Sequence, residues 1–525
     1  MNRPRKPLAI AATTAAILLT GATLWARPPA KETAFRPPAV PLVASDPYLS
    51  IWSMADKLTD DTTRHWTRRE HPLVSLVRVD GKTYRLMGKF PADVPPLPQV
   101  ALHVFPTRSV YEFADDRVHV TLTFLTPALP DDLDVLARPL SYLTWDVRPV
   151  DGIAHEVSIY ASVSALLAVN APEQQVAWSP EKMGGLTVLR AGSVDQTLLR
   201  PAGDDTRIDW GYLYAAAPAA QVRAAVGAND ALLESYVASG AVPAEDDARM
   251  PRAGNDRQPV LGFVFDLGNV GSGPVSRHLM IAYDEIYSIK FLGRKLRPYW
   301  RRDGAGPSDL LTAAERDYAG LVRRCEAFDE ELMRDLTRVG GTKYAQIAAL
   351  AYRQALAGCG LATDANKQPL FFAKENSSNG CIATVDVIYP AAPQFLLMGP
   401  TYPKALVAPA LIYSASPRWK FPFAPHDVGV YPQANGQVYG GGEGSTNEAD
   451  MMPVEESANL ILLCAAIARM DGNAGFASKW WPQLTRWEAY LFRTRRPPAF
   501  RSSTLTPRTI LGARACEPGR SSAVC

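Results

Sequence analysis

Acidic side chains gather in the second half of the chain in a pattern suited to hydrolysis. Between residues 374 and 459 stand Asp386, Asp427, Glu443, Glu448, Glu455 and Glu456, together with Lys374, Glu375, Asn376, His426 and Asn459. Trp419, Phe421, Phe423, Tyr431 and Tyr439 are interleaved with them. Cleaving an amide or a glycosidic bond needs an activated water or nucleophile and an acid for the leaving group. Two carboxyls in different environments can supply both.

Each of these residues also has a plainer use. Glu455 and Glu456 follow Pro453, which suits the first turn of a helix, where the positive end of the dipole favours carboxylates whatever their function. Asp427 follows His426 in a proline-flanked loop and could simply close an Asx-turn. Asp386 sits among apolar residues at a predicted helix start, where a buried cap is the alternative. The run Gly440-Gly441-Gly442-Glu443-Gly444 lacks the GxxxxGK[ST] pattern and no predicted strand precedes it, so it reads as a flexible loop over the site and not as a phosphate cradle. Ser179-Pro180-Glu181-Lys182 matches SxxK without the companion motifs of that amidase class and reads as chance. GxSxG, HExxH and clustered Cys/His signatures are absent from the sequence, so neither a metal nor a cofactor is expected.

The elements that must position these groups change character along the chain. From about 38 to 305 short β-rich runs dominate. Asp80-Gly81 joins two such runs over 73–87, and both residues suit the positive φ of a type I′ turn. Over 117–126, Val118, Val120, Leu122 and Phe124 alternate with polar residues, the period of a half-buried strand. Runs at 141–147, 156–161, 262–267 and 278–283 extend the pattern toward an antiparallel sandwich. Near Pro307 the period becomes helical. Ser308 is the expected N-cap of a helix over 309–338 that ends at Gly340-Gly341. Further helices are expected over 342–357, 384–397, 403–414, 453–470 and 475–491. The fold class is therefore multidomain: a sandwich-like antiparallel region over 38–305, then helical hairpins over 308–491 arranged around a centre as an incomplete α/α toroid.

Composition limits the partners. A net charge of +2 with 21% charged residues gives no basic field for nucleic acid, and the substrate is expected to be a small molecule. Arg3, Arg5 and Lys6 before an apolar run ending near Ala26 read as a signal peptide over 1–26, so the protein is expected to be exported to the periplasm or beyond, with no membrane span in the mature chain. Cys325, Cys359, Cys381 and Cys464 show neither a disulfide rhythm nor metal spacing and read as small buried hydrophobes. Residues 492–525 carry Arg, Pro and Ser without any period; they are expected to be a disordered basic tail, possible product of a reading-frame change.

Three long strings resemble the glutaminase A family of exported proteins. Pro47-Tyr48-Leu49-Ser50-Ile51-Trp52-Ser53 with Asp61-Thr62-Thr63-Arg64-His65-Trp66-Thr67 looks like its N-terminal module. Lys374-Glu375-Asn376-Ser377-Ser378-Asn379-Gly380 runs into Thr384-Val385-Asp386. The third is Phe421-Pro422-Phe423-Ala424-Pro425-His426-Asp427-Val428-Gly429, followed by Met452-Pro453-Val454-Glu455-Glu456-Ser457-Ala458-Asn459. The resemblance implies a β-rich region, a six-helical-hairpin domain and hydrolysis of the side-chain amide of L-glutamine. Asp386, Asp427, Glu455 and Glu456 would then be catalytic. Lys374, Glu375, Asn376, Trp419, His426, Tyr431 and Asn459 would bind substrate. Members of the family continue past the point where this chain becomes its Arg/Pro tail, which puts closure of the ring in question. The alternatives are a glycoside hydrolase in which Trp419 and Tyr431 stack on sugar rings, or a remnant without activity.

Overall fold

The computed structural model describes residues 35–494 apart from Ser272. The expected leader and all of the tail beyond 494 lie outside the described residues. Two large antiparallel sheets dominate the first half, beside a two-stranded pair of Val40–Ala44 with Ser50–Ser53. One has nine strands in the order Arg252–Ala253, Gln175–Met183, Leu186–Ser193, Tyr212–Pro218, Val275–Asp284, Leu140–Pro149, Val118–Leu125, Arg108–Ala114 and Gln99–Val104. The other has five, Val222–Ala228, Pro259–Val270, His155–Ser164, Leu73–Val79 and Lys82–Met87. Alternation decides which side chains face inward: Val118, Val120, Leu122 and Phe124 are fully buried while the residues between them are half-exposed. Trp145 of the larger sheet donates its indole N–H to Ser75 Oγ of the smaller one at 3.0 Å. That bond satisfies the one polar atom of a large side chain inside the apolar layer. Asp80 and Gly81 have φ of 48° and 81°, as the hairpin requires.

The outer faces are covered as well. Besides a single turn, Leu133–Leu136 (α1), the first half contributes Asn229–Ser239 (α2), which packs Leu232, Leu233 and Tyr236 on the outside of the five-stranded sheet. The nine-stranded sheet is covered by Pro307–Ala357 (α3), through Leu310, Leu311, Ala314, Leu321 and Cys325. The N-cap of α3 is Gly306 and not Ser308: Pro307 takes the first helical position, where its missing N–H costs nothing, and Asp309 accepts the Gly306 N–H at 2.9 Å. The predicted break appears at Gly341, whose φ of 80° and ψ of 175° interrupt the helical backbone. Before it, α3 belongs to the sandwich. After it, Ala345, Ala349, Tyr352 and Leu356 are buried, and Tyr352 and Leu356 join the core that runs on into the helical half.

That half continues with a hairpin, Cys359–Thr363 and Pro369–Ala373, and with helices Val385–Leu397 (α4), Thr401–Ala415 (α5) and Pro453–Asp471 (α6). The expected sixth helix is divided at Lys479-Trp480 into Gly475–Ser478 (α7) and Trp481–Thr494 (α8), the second extending beyond 491. On α6 the residues Leu460, Leu463, Cys464 and Ile467 form one buried stripe, each large apolar side chain contributing about 1.5–3 kcal/mol. The segment Glu448–Asp471 is long and apolar enough to cross a membrane, but half of its apolar window is buried in this packing, as in the core helix of a folded domain. A three-stranded sheet joins the halves: Ile289–Phe291 pairs antiparallel with Arg294–Leu296 and parallel with Gln433–Ala434. The four cysteines at 325, 359, 381 and 464 are unpaired and buried. The fold class is that expected, antiparallel sheets followed by helical hairpins.

Candidate active site

Backbone pairing between two loops assembles the site. The hairpin strand Pro369–Ala373 delivers Lys374 and Glu375 into a tight turn, where Gly380 N donates to Glu375 O at 3.1 Å. Gly380 has φ of 75°, and a Cβ there would stand 2.6 Å from Asp204 N, so only glycine fits. The chain then runs beside 426–430: Ile382 N donates to Gly429 O, Val428 N to Ile382 O, and Val385 N to His426 O, at 2.8 to 3.0 Å. This lacing sets Asp386, in the first turn of α4, against His426.

His426 is the hub. Its Nδ1 lies 3.1 Å from Asp427 Oδ2 and its Nε2 3.6 Å from Asp386 Oδ1. Its ring stacks on Tyr439, with centroids 4.0 Å apart and planes 13° from parallel. Burial disfavours the imidazolium, but the two carboxylates outweigh it and push the His426 pKa up to about 10. The same partner holds Asp386 below the usual carboxylate range. Glu375 also faces this group: one ligand atom from each of Glu375, Asp386 and His426 lies within 4.8 Å of the others.

Asp427 plays a different part from the one expected. It is fully buried, and its oxygens accept from Gly429 N at 2.8 Å, Val438 N at 3.0 Å, Tyr439 N at 3.1 Å and His426 Nδ1. A carboxylate so fully engaged has no lone pair left for water; it closes the Asx-turn and orients the imidazole. The pair on α6 divides likewise. Glu455 points into solvent, whereas Glu456 is fully buried with Oε1 unpartnered and Oε2 3.4 Å from Asn459 Nδ2. Burial, with Asp386 and Glu455 nearby, pushes the Glu456 pKa up to about 8 against the pull of His426. At neutral pH it keeps its proton.

The other expected binding residues are distributed less simply. Lys374 is buried, with Nζ 2.6 Å from Asp204 Oδ1 and 4.5 Å from the Trp66 ring centroid. Its ammonium ties the turn to the first half of the chain and is spent there. Asn376 is exposed and donates to Lys374 O. Trp419 is buried with its indole N–H on Phe423 O at 2.7 Å, and Tyr431 is buried edge-on against Tyr48. Neither offers a face to a ligand, because the aromatic cluster around each is core. Glu443 accepts from Tyr413 OH at 2.7 Å and pairs with Arg418, and Glu448 is exposed. The glycine run is closely packed: Cβ atoms at Gly440 and Gly442 would stand 2.5 Å from Asp450 O and 2.4 Å from Gln437 O. It carries Tyr439 to the imidazole face. Asp204 and Tyr439 had no assigned role in the sequence, and only the aromatic beside the glycine run offered a hint. Cys381, read there as a small hydrophobe, is buried with its sulfur near His426 and Asp427.

A chain with a β-rich first half, a helical-hairpin second half and a carboxylate–imidazole cluster in the latter defines a class that the comparisons resolve. Residues 341–507 match the model of the glutaminase A six helical-hairpin domain, and 19–97 and 107–335 match two domains of unknown function, DUF4964 and DUF5127. Glutaminase A of Aspergillus oryzae is 31% identical over 487 residues, covering 89% of this chain and 68% of its own length. A protein of Arthroderma benhamiae named "Probable glutaminase" is 26% identical over 488 residues, covering 85% of this chain and 54% of its own. A structure titled "Putative kojibiose phosphorylase from human microbiome" is 10% identical with a TM-score of 0.44, covering 86% of this chain and 56% of that one, a likeness too distant to bear on mechanism. The chain belongs to the glutaminase A family.

Proposed function

We propose that the protein is an exported hydrolase that converts L-glutamine to glutamate and ammonia by cleaving the side-chain amide. Membership of the glutaminase A family supports the substrate, the leader-like N-terminus supports export, and the cluster around His426 supports the chemistry. Asp386, held below the usual carboxylate range, and Glu375 beside it hold the attacking water, and Asp386 takes its proton as the oxygen adds to the amide carbon. Glu456 then gives its proton to the departing nitrogen, and the carbon–nitrogen bond breaks. His426, fixed by Asp427, supplies positive charge beside the two carboxylates. Asn459 orients Glu456.

The observation that carries this reading is Glu456: a buried carboxyl with an unpartnered oxygen that keeps its proton near pH 7, beside Asp386, which does not. Acid and base are thus separated by environment. Purified full-length chain should release ammonia from L-glutamine, and Glu456→Gln should abolish most of that release while remaining folded. Undetectable release by cooperatively folded wild-type protein would overturn the proposal. No observation favours a sugar substrate, since both expected stacking platforms, Trp419 and Tyr431, are buried.

A further inference from the structure

We propose that Glu375, Asp386 and His426 hold a divalent transition-metal ion. The inference concerns the same site as the glutamine reading but does not depend on that substrate. One ligand atom of each residue lies within 4.8 Å of the other two. Glu375 Oε2 and Asp386 Oδ1 are buried and accept no hydrogen bond. Buried lone pairs are normally satisfied, so two converging acceptors beside an imidazole nitrogen point to a ligand that accepts electron pairs.

The surroundings of His426 add a separate observation. Ligating histidines give their second ring nitrogen to a carboxylate, which fixes tautomer and orientation. Here Asp427 takes Nδ1 and is itself held by three backbone amides, while stacking on Tyr439 fixes the ring plane. Nε2 remains directed to Asp386; an ion bound there takes the place of the imidazolium proton and supplies the positive charge in its stead, since a ligating imidazole is neutral. A further group points to a ligand: Glu456, fully buried, has Oε1 without a partner and lies close enough to His426 and Asp386 to feel both charges. It would face a water on the ion.

A second triplet, Cys381, His426 and Asp427, shares the imidazole. It is the poorer choice, because the Asp427 oxygens are already occupied. One nitrogen and two carboxylate ligands suit Zn2+ or Mn2+ better than Ca2+, which takes six to eight oxygens, and three protein ligands leave positions open for water. The three residues come from the turn after a hairpin, the start of α4 and a loop, so no short sequence signature could display them.

The test is titration calorimetry of full-length protein, freed of metal by chelator dialysis, with Zn2+ and Mn2+ separately and without substrate. The expected result is about one ion per chain, with Glu375→Gln and Asp386→Asn each weakening binding by at least about 10-fold and Glu455→Gln leaving it unchanged. Absence of saturable binding of either ion, or equal binding by both variants and wild type, would overturn the inference. If Asp386→Asn does not fold, Glu375→Gln decides alone, since the unpartnered oxygen it alters has no bond to lose. Ion binding without ammonia release would keep the metal and remove the glutamine reading. Ammonia release by protein that binds neither ion would do the reverse.

Discussion

Asp329 and Glu456 are both fully buried carboxyls on helices, one against the sandwich and one at the candidate site. Burial raises the pKa of each. They differ in what meets them. Asp329 accepts from Thr107 N, Thr107 Oγ1 and Arg108 Nε, all at 2.9 Å. Glu456 has one long contact to an amide and one oxygen with none. Burial alone therefore does not mark a reacting group. A buried acid with its acceptors filled is a joint, and one with an acceptor left open is available for chemistry.

The contrast can be broken most directly at Glu456. Glu456→Gln should lower kcat for ammonia release by about 10²–10⁴-fold without lowering the melting temperature, measured by calorimetry on the same samples; a small kcat change would erase the distinction. Asp329→Ala should do the opposite, costing about 1–3 kcal/mol of stability by denaturant titration, because it leaves the Thr107 N–H and Arg108 Nε without their acceptor, although Arg108 keeps Glu326. The kcat of the folded fraction should stay within about twofold. Next comes pH. Activity should fall as pH rises through about 8, where Glu456 loses its proton. Its folded pKa lies above the ordinary glutamate value of 4.5, so its contribution to stability is fully present below about 4.5 and lost as pH climbs through about 8. Glu456→Gln should flatten that stability slope. The smallest effect belongs to the neighbouring exposed Glu455: its change to Gln should alter stability by less than about 0.5 kcal/mol and leave kcat nearly unchanged.

Much of the scaffold was legible because local rules agree with burial there. The Asp80-Gly81 turn, the alternation of Val118 to Phe124 and the stop at Gly341 each follow from backbone preferences or a single period. Ser308 misled because proline at the first helical position shifts the cap back to Gly306. The candidate site was legible as residue types but not as roles. Asp427 looked like an acid for catalysis, and only the amides of Gly429, Val438 and Tyr439 show that its capacity is used. Lys374 looked free to bind substrate, yet its partner Asp204 lies in a distant part of the chain. The difference between Glu455 and Glu456 was readable from spacing: Glu456 stands on the same face of α6 as Leu460, Leu463 and Ile467, and Glu455 does not. Trp419 and Tyr431 show the limit, since an aromatic in a loop can serve core or ligand equally well.

The break at Gly341 sits between two buried anchors. Before it, Asp329 fastens α3 to Thr107 and Arg108. Beyond it, Arg353 donates to Ser109 Oγ at 2.7 Å, and Ser109 in turn donates to Pro41 O. Both anchors grip the same strand, Arg108–Ala114. A glycine in the middle of a long rod would ordinarily act as a pivot, but a rod bolted on both sides of its weak point transmits torque and does not bend. Both stretches of α3 are thereby clamped to a single strand and keep a fixed course across Gly341.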